Sequence, residues 1–148
     1  MSIWTSPRRP DTICLTVLIA AIAALVWQRA FFDIWIARHD NLTAYLPWYT
    51  LLGERLRAGE IPGWNPYQFS GTPFAADPQS GWTYLPAMLP FTVLDPVPAM
   101  TAKLAIELLV PGLATYALIR VLGFSPVAAL AGAAVMTFGP LSFQTAYC

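Results

Sequence analysis

The side chains best equipped for chemistry lie between residues 33 and 98. They are the carboxylates Asp40, Glu60 and Asp77, the only histidine His39, the guanidinium groups of Arg55 and Arg57, and the aromatic rings of Trp48, Trp64, Tyr67, Trp82 and Tyr84. A carboxylate can take the proton of a hydroxyl as that hydroxyl attacks an electrophile, which is the general-base role open to Asp40. His39, its neighbour, could orient that carboxylate or touch a phosphate. Arg55 and Arg57 offer forked donors to phosphate oxygens. The rings could stack on a sugar. Oxygen ligands from Asp40, Glu60 and Asp77 would suit a hard divalent cation, but no Cys or His cluster with metal-ligand spacing accompanies them, so no metal ligand is assigned.

Each of these residues also has a plainer use. Asp40 stands where a helix N-cap is needed, and capping and catalysis are compatible. Glu54 and Arg57 are three apart and could pair on a solvated helix face. Trp and Tyr collect at membrane interfaces without binding anything. A lone His beside a helix start is commonly at the surface. The triplets Trp64-Asn65-Pro66 and Gly71-Thr72-Pro73 have the composition of fixed turns. Asn41-Leu42-Thr43 fits a glycosylation acceptor pattern that is only three residues long.

The elements that must position these groups follow from spacing. Leu42, Tyr45, Leu46, Tyr49, Leu52 and Leu56 recur every three or four residues, predicting an amphipathic helix over about 41–58 that is capped by Asp40 and stopped by Gly59. Pro47 should kink or restart it. Such a helix is expected to lie along a membrane surface. The following residues hold too many prolines and glycines for regular structure. The apolar stretch from Trp82 to Leu94, broken by Pro86 and Pro90, reads as an interfacial or re-entrant element.

The surroundings are apolar. Of 148 residues 57% are hydrophobic and 11% charged, against about 45–50% and about 25% in soluble domains, so much of the solvent is expected to be lipid. Eight basic and eight acidic residues cancel, which excludes a nucleic-acid binder that works by neutralising phosphates. An uncharged run predicts a membrane span over 12–32. A secretory signal peptide is the rival reading, disfavoured by the apolar segments downstream. A second span is predicted over 99–122, with Lys103 and Glu107 four apart near its start, Pro111 inside and Arg120 near its end. A third is predicted over 126–146. The third carries Ala129, Gly132, Ala133 and Ala134, small enough to admit a close neighbour, and that neighbour is expected from helices beyond this chain. The intervening segment 33–98 holds nine of the fourteen prolines and sets three arginines against six acids. A long acidic, aromatic segment of this kind suits a site or a docking surface. The charges flanking the spans nearly balance and leave orientation open.

Asp40, then Pro47-Trp48, then LRAGEIPGWNPYQFSGTP (Leu56 to Pro73), then Pro78-Gln79-Ser80 and Tyr84, together resemble the N-terminal region of YfhO-type bacterial membrane proteins in the GT-C glycosyltransferase superfamily. The departures are Gly63 before Trp64, Asp77 where the family often has Asn, and Leu85 between Tyr84 and Pro86. The resemblance implies an all-α, multi-pass protein of the bacterial cytoplasmic (inner) membrane. Its N-terminus, 1–11, would be cytoplasmic and its first loop, 33–98, extracytoplasmic. Family members are several times longer, so the chain is expected to be an N-terminal piece whose remaining transmembrane helices lie beyond residue 148. The implied reaction moves a sugar from a polyprenyl-phosphate donor to an extracytoplasmic acceptor, with Asp40 in the matching catalytic place. His39, Arg55, Arg57, Trp64, Asn65, Asp77, Gln79 and Tyr84 form the expected substrate-binding set. No cofactor is assigned beyond the divalent cation considered above. The chain alone is expected to be inactive. The rival is a non-catalytic multi-span protein, a lipid-linked flippase or assembly partner, whose loop only docks a lipid or another protein.

Overall fold

The computed structural model describes residues 9–32 and 40–139. The described chain is mostly helical: α1 (Arg9–Phe32), a π-helical turn (Asn41–Tyr45) leading into α2 (Leu46–Arg57), two-residue strands β1 (Trp64–Asn65) and β2 (Thr72–Pro73), then α3 (Leu85–Val93), α4 (Pro96–Val121) and α5 (Pro126–Phe138). It divides into two compact units. Among the described residues, one unit holds 9–32 and 105–139 and the other holds 40–104, so α4 contributes to both.

In the first unit α1 and α4 are the two helices long and apolar enough to cross a membrane. Their 24 and 26 residues correspond to about 36 and 39 Å at 1.5 Å per residue. A helix that is apolar all round belongs in a protein core or in lipid. Only 17% of the most apolar stretch of α1 and 22% of that of α4 is buried within the chain. A single face of α1, formed by Cys14, Leu18 and Ile22, is buried, while Ile13, Val17, Trp27 and Phe31 are exposed.

The neighbour of the small residues in α5 lies within this chain, which corrects the expectation of a partner from elsewhere. Ala129 and Ala133 are fully buried, α5 packs against α1, and Gly132 faces the side chain of Ile119. Gly112, directly after Pro111, lets α5 approach α4 so closely that a Cβ there would overlap Thr137 Oγ1. That hydroxyl is buried and makes no hydrogen bond. Helix α5 starts on Ser125, whose Oγ accepts from Ala128 N at 3.2 Å, and stops at Gly139, which is extended as the residue before a proline tends to be. Its 13 residues are about 20 Å long, shorter than the expected 126–146 span; residues 140–146 lie outside the described residues.

One polar cluster ties the ends of this unit together. Asp11 Oδ1 accepts from Tyr116 Oη at 2.9 Å and from Arg120 Nε at 2.6 Å, and Oδ2 accepts from Arg120 Nη2 at 3.2 Å. Arg120 Nη1 also donates to the carbonyl of Phe124. The start of α1 therefore meets the end of α4, and the two helices are antiparallel.

The second unit centres on α2 packed against α3. Tyr49, Leu51, Leu52, Phe74, Ala87, Phe91, Ala99, Met100 and Leu104 form its core. Gly53 is essential to the contact, because a Cβ there would collide with the backbone carbonyl of Phe91. Pro47 does restart the helix: it sits in the first turn of α2, just past the π-helical turn. The helix ends at Ala58, and Gly59 follows with φ +71°, a C′ geometry that glycine adopts without strain. The burial of Tyr49 and Leu52 inside this unit corrects the picture of α2 as a helix resting its apolar face on a membrane.

Candidate functional site

Asp40 opens the helical stretch but does not cap it as expected. Its backbone is already in the right-handed helical region (φ −72°, ψ −34°), and its carboxylate makes no capping bond to the helix. A side chain caps only from a non-helical N-cap backbone. With the helix continuing through Asp40, the carboxylate has no capping role and the side chain is exposed. His39 lies outside the described residues. Asn41, next in line, is buried at 2% exposure, so the Asn41-Leu42-Thr43 triplet presents no accessible glycosylation acceptor.

The two arginines expected to meet phosphate both have internal partners. Arg55 Nη1 pairs with Glu60 Oε2 at 2.6 Å across an exposed surface. Arg57 Nη1 donates to the carbonyl of Phe91 at 3.0 Å. That carbonyl is one of the last of α3, where the helix ladder leaves acceptors without partners. Arg57 thus reaches α3 rather than Glu54, and the expected Glu54–Arg57 pair is not the one formed.

The proline-rich stretch is ordered by local bonds. Strands β1 and β2 pair antiparallel, Trp64 opposite Pro73 and Asn65 opposite Thr72. Asn65 is buried, and its Oδ1 accepts from Tyr67 N at 3.0 Å. Phe69 and Ser70 both take positive φ, and Gly71, at φ +111°, sits so close to the Trp64 ring that a Cβ would strike it. Farther on, Asp77 Oδ1 accepts from Gln79 N at 2.8 Å, a turn held by its own side chain. Ser80 Oγ does the same for Trp82 N. Asn65 and Asp77 therefore shape the backbone, and Gln79 contributes its main chain to that turn.

Among the expected stacking residues, Trp48 is half-buried and its Nε1 donates to Gln68 Oε1 at 2.7 Å, linking α2 to the hairpin. Trp64 and Tyr67 are exposed, and Phe69 beside them is 85% exposed. Tyr84 precedes α3 and is partly exposed. The aromatic surface is therefore on the hairpin, at Trp64, Tyr67 and Phe69.

Among the described residues no three His, Cys, Asp or Glu side chains come together to hold a metal. Glu60 is paired with Arg55 and Asp77 closes its own turn, so the three acids do not fit a shared divalent cation.

Two groupings were not read from the sequence. Lys103 is buried at 9% exposure, with Nζ 5.3 Å from the ring centroid of Tyr49, a cation over an aromatic face. Tyr49 in turn meets Tyr45 and Phe91 at centroid distances of 5.8 and 5.4 Å. An intramembrane or interfacial lysine is a signal in itself, but its aromatic partner is 54 positions away in sequence and no local pattern couples them. The second is the cluster at Asp11, which pairs a residue assigned to the N-terminal tail with one at the far end of another helix.

No protein-family model matches the chain, and neither characterised proteins nor solved structures give a significant match.

Proposed function

We propose that the chain is the N-terminal part of a multi-pass glycosyltransferase of the bacterial cytoplasmic membrane, with Asp40 as general base. On this reading α1 and α4 cross the bilayer in opposite directions, α5 begins a third crossing, and the loop 33–98 lies on the extracytoplasmic side. The antiparallel pairing of α1 and α4 through Asp11 and Arg120 supports that topology.

The observation that carries the catalytic assignment is the placement of Asp40: exposed, at the head of the helical stretch that leads into α2. Its carboxylate takes the proton of the acceptor hydroxyl while the hydroxyl oxygen bonds to the anomeric carbon. The bond from that carbon to the phosphate oxygen breaks, and polyprenyl phosphate leaves with the bond's electron pair. Trp64, Tyr67 and Tyr84 are the exposed rings available to a sugar. The direct test is sugar transfer by the full-length protein carrying Asp40→Asn.

A second reading, a non-catalytic membrane protein that docks a lipid-linked molecule or an assembly partner, is favoured by a specific observation. Arg55, Arg57, Asn65 and Asp77 are all engaged in bonds that hold the loop's own shape. Wild-type full-length protein that binds a polyprenyl-phosphate sugar without turning it over would select this alternative.

A further inference from the structure

Helix α3 is apolar on both sides. Ala87, Pro90 and Phe91 are buried, with Phe91 against Gly53 of α2. The other side carries Leu85, Leu89 and Val93, which are 61, 60 and 76% exposed. Their spacing of four places them in one stripe along the helix. No charged residue occurs from Leu85 to Leu94, so nothing on this helix offsets the cost of showing that stripe to water.

The position of α3 in the chain identifies what covers it. Only Leu94 and Asp95 separate Val93 from the start of α4 at Pro96, so the end of α3 lies no more than about 11 Å from the start of α4. At about 39 Å, α4 fills the hydrocarbon core and reaches into the headgroup layers, which bring a bilayer to about 40–45 Å. Its first turn therefore sits among headgroups, and α3 is tethered there. Helix α2, on the buried side of α3, exposes Glu54 and Arg57, as an element on the aqueous side should.

We propose that α3 is an interfacial helix lying on the bilayer, with Leu85, Leu89 and Val93 seated at the boundary between headgroups and acyl chains. The proposal rests on the reading of α1 and α4 as membrane spans. It selects the interfacial over the re-entrant reading of the 82–94 stretch, and makes lipid the third layer beneath the α2–α3 pair. Burying the stripe in lipid removes apolar area from water, the general source of binding for interfacial helices.

The test uses the whole 148-residue chain with Cys14 and Cys148 replaced by alanine, reconstituted in vesicles of phosphatidylethanolamine and phosphatidylglycerol. Single spin labels are placed through Leu89→Cys, Val93→Cys, Glu54→Cys on α2 and Val110→Cys within α4. Collision with oxygen, which partitions into lipid, is compared with collision with a water-soluble nickel chelate. Labels at Leu89 and Val93 are expected to favour oxygen and lose most of the nickel accessibility seen at Glu54, at a depth shallower than Val110. Nickel accessibility at Leu89 and Val93 equal to that at Glu54, with Val110 deep, would overturn the proposal while leaving the spans intact. Nickel access at Val110 as well would overturn both. Protection of Leu89 and Val93 from both reagents would mean that protein covers the stripe and would also overturn it.

Discussion

The unit made by α1, the later part of α4 and α5 and the unit made by α2, the hairpin and α3 place their polar groups in opposite ways. In the first, the helices satisfy their own backbones, small residues such as Ala129 and Ala133 set the contacts, and Asp11, Tyr116 and Arg120 gather into one polar cluster between helix ends. In the second, polar side chains are dispersed, and most close a turn or meet an orphaned carbonyl within reach. Where the medium offers no hydrogen bonds, backbone irregularity is excluded; where water or an interface is present, prolines and glycines can bend the chain and single side chains can hold each bend. Asp40 stands on the irregular unit, exposed at the head of the helical stretch that leads into α2.

The sharpest way to break the comparison is to replace Asp40. Asp40→Asn in the full-length protein is expected to reduce sugar transfer by about 10²–10⁴, the usual worth of a general base, with membrane abundance unchanged because no capping bond is lost. Asp77→Asn keeps an oxygen for Gln79 N and is expected to retain turnover. Loss of activity at Asp77 and not at Asp40 would show that the wrong carboxylate is assigned.

Next in size is the α2–α3 contact. Gly53→Val drives a side chain into the Phe91 carbonyl and is expected to cost about 1–3 kcal/mol, read as a lower midpoint of thermal unfolding in detergent. Gly63→Ala, whose added Cβ meets nothing within 4 Å, is expected to stay within about 0.5 kcal/mol. Equal effects at the two glycines would remove Gly53 from its role in packing.

In the other unit, Tyr116→Phe deletes one hydrogen bond to an ionised partner and is expected to cost about 1.5 kcal/mol, while Arg120→Gln lowers stability by loosening the same carboxylate. A smaller effect in this unit is expected from Ser125→Ala, which removes the cap on α5 and costs about 1 kcal/mol. A larger loss at Ser125 than at Tyr116 would mean that the Asp11 cluster does not hold the helices together.

The legibility of the molecule followed the range of the interactions involved. Helices α1, α2 and α4 were readable because an apolar run or a three-to-four spacing is local, and the end at Gly59 carries its own chemistry. The turns at Asn65 and Asp77 were partly readable: composition marked the bends, but the expected ligand roles hid the fact that each side chain bonds the backbone two residues on. What depended on pairing distant segments was not readable. Asp11 with Arg120, Lys103 with Tyr49, Arg57 with Phe91 and Trp48 with Gln68 join residues separated by 20 to 109 positions, and one sequence contains no signal for them. The expectation that α2 lies on a membrane surface failed for the same reason, because its apolar face is covered by α3, a segment distant in the sequence.

All functional assignments rest on α1 and α4 crossing the membrane in opposite directions, with Asp40 and the hairpin delivered to the extracytoplasmic side. Fusions to alkaline phosphatase and to a fluorescent protein after Gly71, each expressed in a bacterial host, test that claim directly. The expected result is an active phosphatase and a dark fluorescent protein at Gly71. An inactive phosphatase with a bright fluorescent protein there would place the segment in the cytoplasm and contradict the proposed extracytoplasmic site.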